Sequence, residues 1–223
     1  MKFDNVENFI INSGKILNEL YDMFRNTQTA ELKKLPSSNT VLVIVDMING
    51  FAREGALMSS RVEGLIPELV RLSEKCGKLG IAKIAFADSH TEESPEFGAY
   101  PVHCLQGTWE AEMVEELKNT GGYKLITKNS TNGFLEKEFQ NWLSENANID
   151  TFIVTGDCTD ICVQQFATTL KTWFNMQNRA SRIIVPVNAV ETYDLGVHNG
   201  ELVNLMALYN MHINGVEIVG ALE

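Results

Sequence analysis

Val41-Leu42-Val43-Ile44-Val45 is an unbroken apolar run, rich in β-branched residues, that stops at Asp46. A run without polar alternation is the pattern of a strand buried on both faces, as in a parallel sheet with helices above and below. Working outward, residues 61–79 carry apolar side chains at helical spacing, and Ile81–Ala87 reads as a second strand. A loop covers 88–107, and Thr108–Lys118 reads as a helix capped by Thr108. Tyr123–Thr127, Thr151–Thr155, Arg182–Val185 and Val216–Val219 read as further strands. Helices over Phe134–Glu145, Asp160 to about 177 and about 198–210 separate them. Six strands alternating with helices predict a three-layer α/β/α sandwich around a six-stranded, mainly parallel, Rossmann-like sheet.

Upstream of that rhythm, Val6, Phe9, Ile10, Leu17, Leu20, Tyr21 and Phe24 recur three, four and seven apart, a helical pattern from residue 5 to about 34. Asp4 or Asn5 can cap it. The break at Pro36-Ser37-Ser38-Asn39 sets off an N-terminal extension, 1–36, from a domain over 37–223. The extension must bury its stripe on the body or on another subunit, so a homo-oligomer is expected. The 223 residues are 44% hydrophobic and 21% charged, enough for one sizeable core. A net charge of −11 argues against nucleic acid or an anionic membrane as the main partner. No run has the length of a membrane span. Met1–Asn5 lacks the basic start of a signal peptide. Cys76, Cys104, Cys158 and Cys162 form no CxxC pair. Reduced thiols in a cytoplasmic protein are the expectation.

Ligands of such sheets bind beyond the carboxyl ends of the strands. The residues there are Asp46, Asp88, Lys128 and the segment Val154-Thr155-Gly156-Asp157-Cys158-Thr159-Asp160-Ile161-Cys162-Val163. Cys162 stands at a strand-to-helix junction, where the helix dipole favours a thiolate. Asp46 is either a base for that thiol or a turn aspartate. Lys128 either holds the charges of the pair or is a solvated strand-end lysine. The loop offers Asp88, His90, Glu96 and His103, a nitrogen and oxygen set suited to zinc, manganese or iron.

Asp46, Lys128 and Cys162 at separate strand ends resemble the triad of the isochorismatase-like cysteine hydrolases. The resemblance covers about residues 40–220. Its most specific part is Gly156-x-x-Thr159-Asp160-x-Cys162-Val163. Val43-Ile44-Val45-Asp46-Met47-Ile48-Asn49-Gly50-Phe51 is similar to the family's opening strand, with Ile48-Asn49-Gly50 departing from its usual residues. The loop, with Asp88-x-His90 and later Tyr100-Pro101-x-His103-Cys104-x-x-Gly107-Thr108, resembles the nicotinamidase branch.

The resemblance implies cleavage of a small-molecule amide through a Cys162 thioester and a place in NAD metabolism. It implies one divalent transition metal, zinc before manganese or iron, on Asp88, His90, Glu96 and His103. It also implies a cis peptide between Asp157 and Cys158, an oxyanion hole from the amides of Cys158 and Cys162, and a ring clamp from Phe51 and Tyr100. Cys158 stands where the family has a small apolar residue. It is either a buried filler or a redox-sensitive neighbour of Cys162. Cys104 belongs to the loop pattern, His198 and His212 to packing or solvent, and Met206 and Met211 to the core. The alternatives are hydrolysis of another small amide and a non-catalytic binding protein that keeps the fold.

Overall fold

The computed structural model describes residues 5–223. Expectations resting on Met1–Asp4, the Asp4 cap and the missing signal peptide among them, lie outside the described residues. Six strands, β1 (Thr40–Val45), β2 (Ala82–Asp88), β3 (Lys124–Lys128), β4 (Thr151–Gly156), β5 (Arg182–Pro186) and β6 (Glu217–Val219), form one sheet. Their order is β3-β2-β1-β4-β5-β6, and every neighbouring pair is parallel. All of β1 and β4 is buried, because helices cover both faces.

Eight helices are described: α1 (Val6–Arg25), α2 (Asn49–Ala52), α3 (Ser60–Glu63), α4 (Ile66–Lys78), α5 (Glu115–Thr120), α6 (Lys137–Glu145), α7 (Gln164–Met176) and α8 (Gly200–Ile213). Leu42 and Ile44 of β1 share a core with Leu69 and Leu72 of α4 and Leu117 of α5. Val41, Val43 and Val45 pack on the other side with α6, α7 and α8. Apolar side chains alternate between the two layers along β1, as the strand period requires.

The strand order turns round between β1 and β4. The chain steps outward one way through β2 and β3, then the other way through β5 and β6. The connections leaving β1 and β4 diverge there and open a crevice at their carboxyl ends. Register sets what meets in it: Val45 lies opposite Gly156, and Asp88 opposite Lys128. Gly156 has φ +107°, and a Cβ on it would sit 2.0 Å from the Val45 carbonyl oxygen. Only glycine tolerates that approach.

Several helices differ from the sequence reading. Segment 61–79 breaks into α3 and α4. Between 108 and 114 there is only a 3-10 turn over Trp109–Ala111, and α5 starts at Glu115. Met113 is drawn into an antiparallel bridge with Ile48. The backbone bonds Asn49 N–H to Glu112 O and Val114 N–H to Met47 O hold that stretch extended. Thr108 caps nothing, since its hydroxyl donates to Leu105 O at 2.7 Å. α7 is preceded by a π-type turn over Thr159–Val163. Met211 is in the core, whereas Met206 is exposed.

Asn5 caps α1, its Oδ1 accepting from Asn8 N–H at 2.9 Å. The helix ends at Arg25, short of residue 34. Within its stripe Leu20 and Phe24 are buried, while Val6, Phe9, Ile10 and Tyr21 are exposed. The body thus covers only the last turns. Beyond it, Ala30 bridges Leu222, and Leu32 and Leu35 enter the core. Among the described residues no helix is long and apolar enough to cross a membrane, and all four cysteines are free.

Candidate active site

Three strand ends and the turn that follows β4 bring their polar side chains together. Asp46 leaves β1 with φ +53°, a left-handed conformation that aspartate adopts more readily than most residues. Its Oδ1 accepts from the Asp88 N–H at 3.0 Å, which fixes it against the end of β2. Lys128 closes β3. Its Nζ lies 2.8 Å from Asp46 Oδ2, also pairs with Asp88 Oδ1, and donates to Ser130 O at 3.2 Å. The same ammonium is 3.6 Å from Cys162 Sγ. A carboxylate oxygen of Asp46, one of Asp88 and the Cys162 sulfur lie within 4.8 Å of one another. All four residues are buried.

Burial sets the charges in this cluster. It pushes the Asp46 carboxyl up to about 6, against the attraction of Lys128. It works against the Asp88 charge too, but Lys128, His103 and His90 outweigh it and hold that carboxyl well below its ordinary range. Lys128 is held above the usual lysine range, because Asp46 and Asp88 overcome the loss of solvent. For Cys162 burial wins, and Lys128 offsets only part of the upward push. The pull of the helix start toward a thiolate is thus opposed by burial, and a base that takes the Cys162 proton is needed.

The peptide between Asp157 and Cys158 is cis. Cys158 O accepts from the N–H groups of Ile161 and Val163, each at 3.1 Å, and so folds the turn around Cys162. Burial pushes the Cys158 thiol and the Asp157 carboxyl upward.

Cys158 and Cys162 open into a cleft. Asp88, Glu96 and His103 line it together with Phe51, Tyr100 and Tyr193. Phe51 and Tyr100 pack on the His103 ring, with centroids 5.7 and 6.2 Å away. The sequence reading missed Phe97, which meets both His90 and His103 edge-on at 5.6 and 5.8 Å.

The donor set fits a divalent transition metal. Asp88, His90 and His103 each offer a ligand atom, all within 4.8 Å of one another. His103 Nδ1 lies 2.8 Å from Pro101 O, an acceptor, so Nδ1 carries the proton and Nε2 presents its lone pair. His90 Nε2 and Glu96 Oε2 are buried without hydrogen-bond partners and lie 3.8 Å apart. Buried polar atoms left unpaired at one point fit a cation held between them. Glu96 stands outside the tight three-residue set, with its other oxygen accepting from Thr131 N–H at 2.8 Å.

Tyr193 was also missed, because it comes from a loop after β5 and not from a strand end. His198 does more than the packing or solvent role expected of it, since its Nε2 lies 2.9 Å from Asp160 Oδ2. No periodic signal in 187–199 points to either residue. His212 fits its assignment, exposed at the end of α8 and edge-on to Phe24.

An isochorismatase domain model matches residues 40–214. Nicotinamidase 1 of Arabidopsis thaliana is 28% identical over 215 residues, covering 83% of this chain and 87% of the plant protein. The crystal structure of a nicotinamidase from Bacillus subtilis superposes with a TM-score of 0.69 at 23% identity, over 81% of this chain and 99% of that one. The pyrazinamidase of Pyrococcus horikoshii, solved in complex with zinc, gives 0.65 at 23% identity over 81% and 98%. At such identities the two solved structures establish a shared fold.

Proposed function

The chain is a hydrolase of the isochorismatase family, and we propose that it is a nicotinamidase, converting nicotinamide to nicotinate and ammonia. One observation carries the reading. The sulfur of Cys162 and the His103 and Asp88 side chains line one small cleft walled by Phe51 and Tyr100. A nucleophile beside a nitrogen-seeking site and flat apolar walls suits a carboxamide on a heteroaromatic ring.

In this reading Asp46 accepts the Cys162 proton, and the sulfur attacks the carboxamide carbon. Lys128, 3.6 Å from the sulfur, stabilises the charge that forms on it. The N–H groups of Cys158 and Cys162 receive the oxyanion. As the C–N bond breaks, Asp46 returns the proton to the departing ammonia. Asp46 then takes a proton from the water that attacks the thioester carbon, the C–S bond breaks to release nicotinate, and Asp46 returns that proton to the Cys162 sulfur. Phe51 and Tyr100 hold the ring in plane. Asp88, His90, Glu96 and His103 would hold a divalent transition metal, zinc before manganese or iron, whose chemistry there is Lewis-acid capture of the pyridine nitrogen.

Ammonia release from nicotinamide, pyrazinamide and non-aromatic amides, with and without chelator, tests the reading. Turnover of the ring amides is expected, together with its loss in Cys162→Ala while that variant still binds nicotinamide. Turnover confined to non-aromatic amides would overturn the substrate assignment, and an active Cys162→Ala protein would overturn the mechanism.

A further inference from the structure

Tyr193 lines the reactive cleft with Phe51, Tyr100, Cys158 and Cys162, yet it arrives from a loop with no other part in the chemistry. It is only 9% exposed. Its ring lies flat on His198, centroids 4.1 Å apart and planes within 13°. The imidazole is in turn fixed at both nitrogens. Nδ1 lies 2.9 Å from the Tyr193 carbonyl, and Nε2 lies 2.9 Å from Asp160 Oδ2. The carbonyl and the carboxylate both accept, so each ring nitrogen reaches its partner as an N–H donor. Asp160 stands two residues before Cys162 in the turn Thr159–Val163.

The loop around this stack is braced as well. Arg61 pairs with Glu191 at 3.0 Å and with Asp194 at 3.6 Å, and Leu195 bridges His198. A tyrosine that only filled space would need no such chain of supports. Here each link fixes the plane of one aromatic ring relative to the segment carrying the nucleophile. A wall of fixed plane favours flat ligands, since little rotamer freedom is lost when one binds. Burial pushes the Tyr193 phenol up to about 12, so the wall is uncharged at neutral pH.

We infer that Tyr193 is a specificity-determining residue of the cleft: with Phe51 and Tyr100 it selects planar ring amides. His198, anchored on Asp160, is the positioning residue that holds its ring. The inference rests on the ring-amide reaction proposed above and goes beyond it by naming a third wall.

Steady-state kinetics on nicotinamide separate the possibilities. Tyr193→Ala raises KM about tenfold with kcat nearly unchanged, the signature of lost uniform binding. Tyr193→Leu, which fills the space without a flat face, does the same and carries the test if the alanine variant fails to fold. Tyr193→Phe retains wild-type constants, because the ring and not the hydroxyl acts. His198→Gln raises KM in the same direction by a smaller factor. Calorimetric binding of nicotinamide to the same variants on a Cys162→Ala background follows the KM values. A drop in kcat without a change in KM, or a phenylalanine variant as impaired as alanine, overturns the role of Tyr193 and leaves the reaction standing. Wild-type protein that turns over no ring amide overturns the reaction and, with it, this inference.

Discussion

Replacing Lys128 with methionine keeps much of the side chain's volume and removes its charge. In the native protein this ammonium has no solvent exposure and answers Asp46 at 2.8 Å and Asp88 on its other side. Without it, two buried carboxylates face each other with no cation between them. Removing one partner of a buried ion pair costs about 3–5 kcal/mol, because the abandoned charge keeps its desolvation penalty. For a domain of this size each kcal/mol moves the melting temperature by about 2–4 °C, so the variant should melt about 6–20 °C below wild type.

Protonation of Asp46 softens the loss. Its carboxyl already sits at about 6, and without Lys128 it moves higher still. A carboxyl raised above its unfolded value destabilises progressively as pH rises through the interval between the two. The deficit relative to wild type is therefore larger near pH 8 than near pH 5. Thermal melts at both pH values, in chelator so that no metal replaces the missing cation, measure it. A double variant, Asp46→Asn with Lys128→Met, removes one orphaned carboxylate and should recover about 1–3 kcal/mol. A Lys128→Met protein melting within about 2 °C of wild type at the higher pH, or a double variant no more stable than the single, would refute the reasoning.

Three further outcomes are expected. If Asp46 takes the Cys162 proton, it must be ionised in the free enzyme. kcat/KM for nicotinamide should then fall as pH drops through about 6, and a flat profile well below that value removes Asp46 from the role. Gly156→Ala places a Cβ 2.0 Å from Val45 O at φ +107°. Loss of soluble, cooperatively melting protein is expected, and a variant that melts like wild type contradicts the close approach of β1 and β4. His90→Ala and His103→Ala should each abolish stoichiometric zinc retention measured by mass spectrometry after dialysis. Glu96→Gln should only weaken it, by about tenfold, because Glu96 stands outside the tight three-residue set. Equal zinc content in all three variants would place the metal elsewhere.

The strand ends were legible in the sequence because a buried parallel strand leaves a plain trace. Val41–Val45 and Phe152–Val154 are unbroken apolar runs, and the polar residues just past such runs must lie at the sheet's carboxyl edge. Asp88 and Lys128 prove to be the last residues of their strands, not the first beyond them, a shift that leaves them paired across the register. The Thr108–Lys118 helix was misread because the Thr108 hydroxyl bonds back to Leu105 O and does not cap, and the bridge from Met113 to Ile48 holds the stretch before Glu115 extended. Tyr193 and His198 were illegible for a different reason. They come from a loop whose course depends on Arg61, Asp160 and Glu191, residues distant in sequence from one another. Nothing local in 187–199 encodes that meeting.

The charge of Cys162 shows where a correct local argument loses to a larger tertiary one. A helix start favours a thiolate by about 0.3–1 kcal/mol, and by about 2 in partly buried geometry. Full burial raises the pKa of such a group by as much as about 3–5 units, each worth about 1.4 kcal/mol. The second effect is several times the first, and Lys128 at 3.6 Å returns only part of it. The pull of the junction that marks Cys162 so clearly in the sequence is therefore smaller than the push of burial. Activation needs a base within reach whose own proton affinity has been raised, and burial supplies that at Asp46 by the same desolvation that pushes the thiol upward. Moving the proton from sulfur to Asp46 leaves the net charge of the cluster unchanged. It also places the new negative charge beside Lys128 at the moment the sulfur attacks. The proposed chemistry thus rests on Asp46, Lys128 and Cys162 being buried together, and a single exposed member would remove the balance.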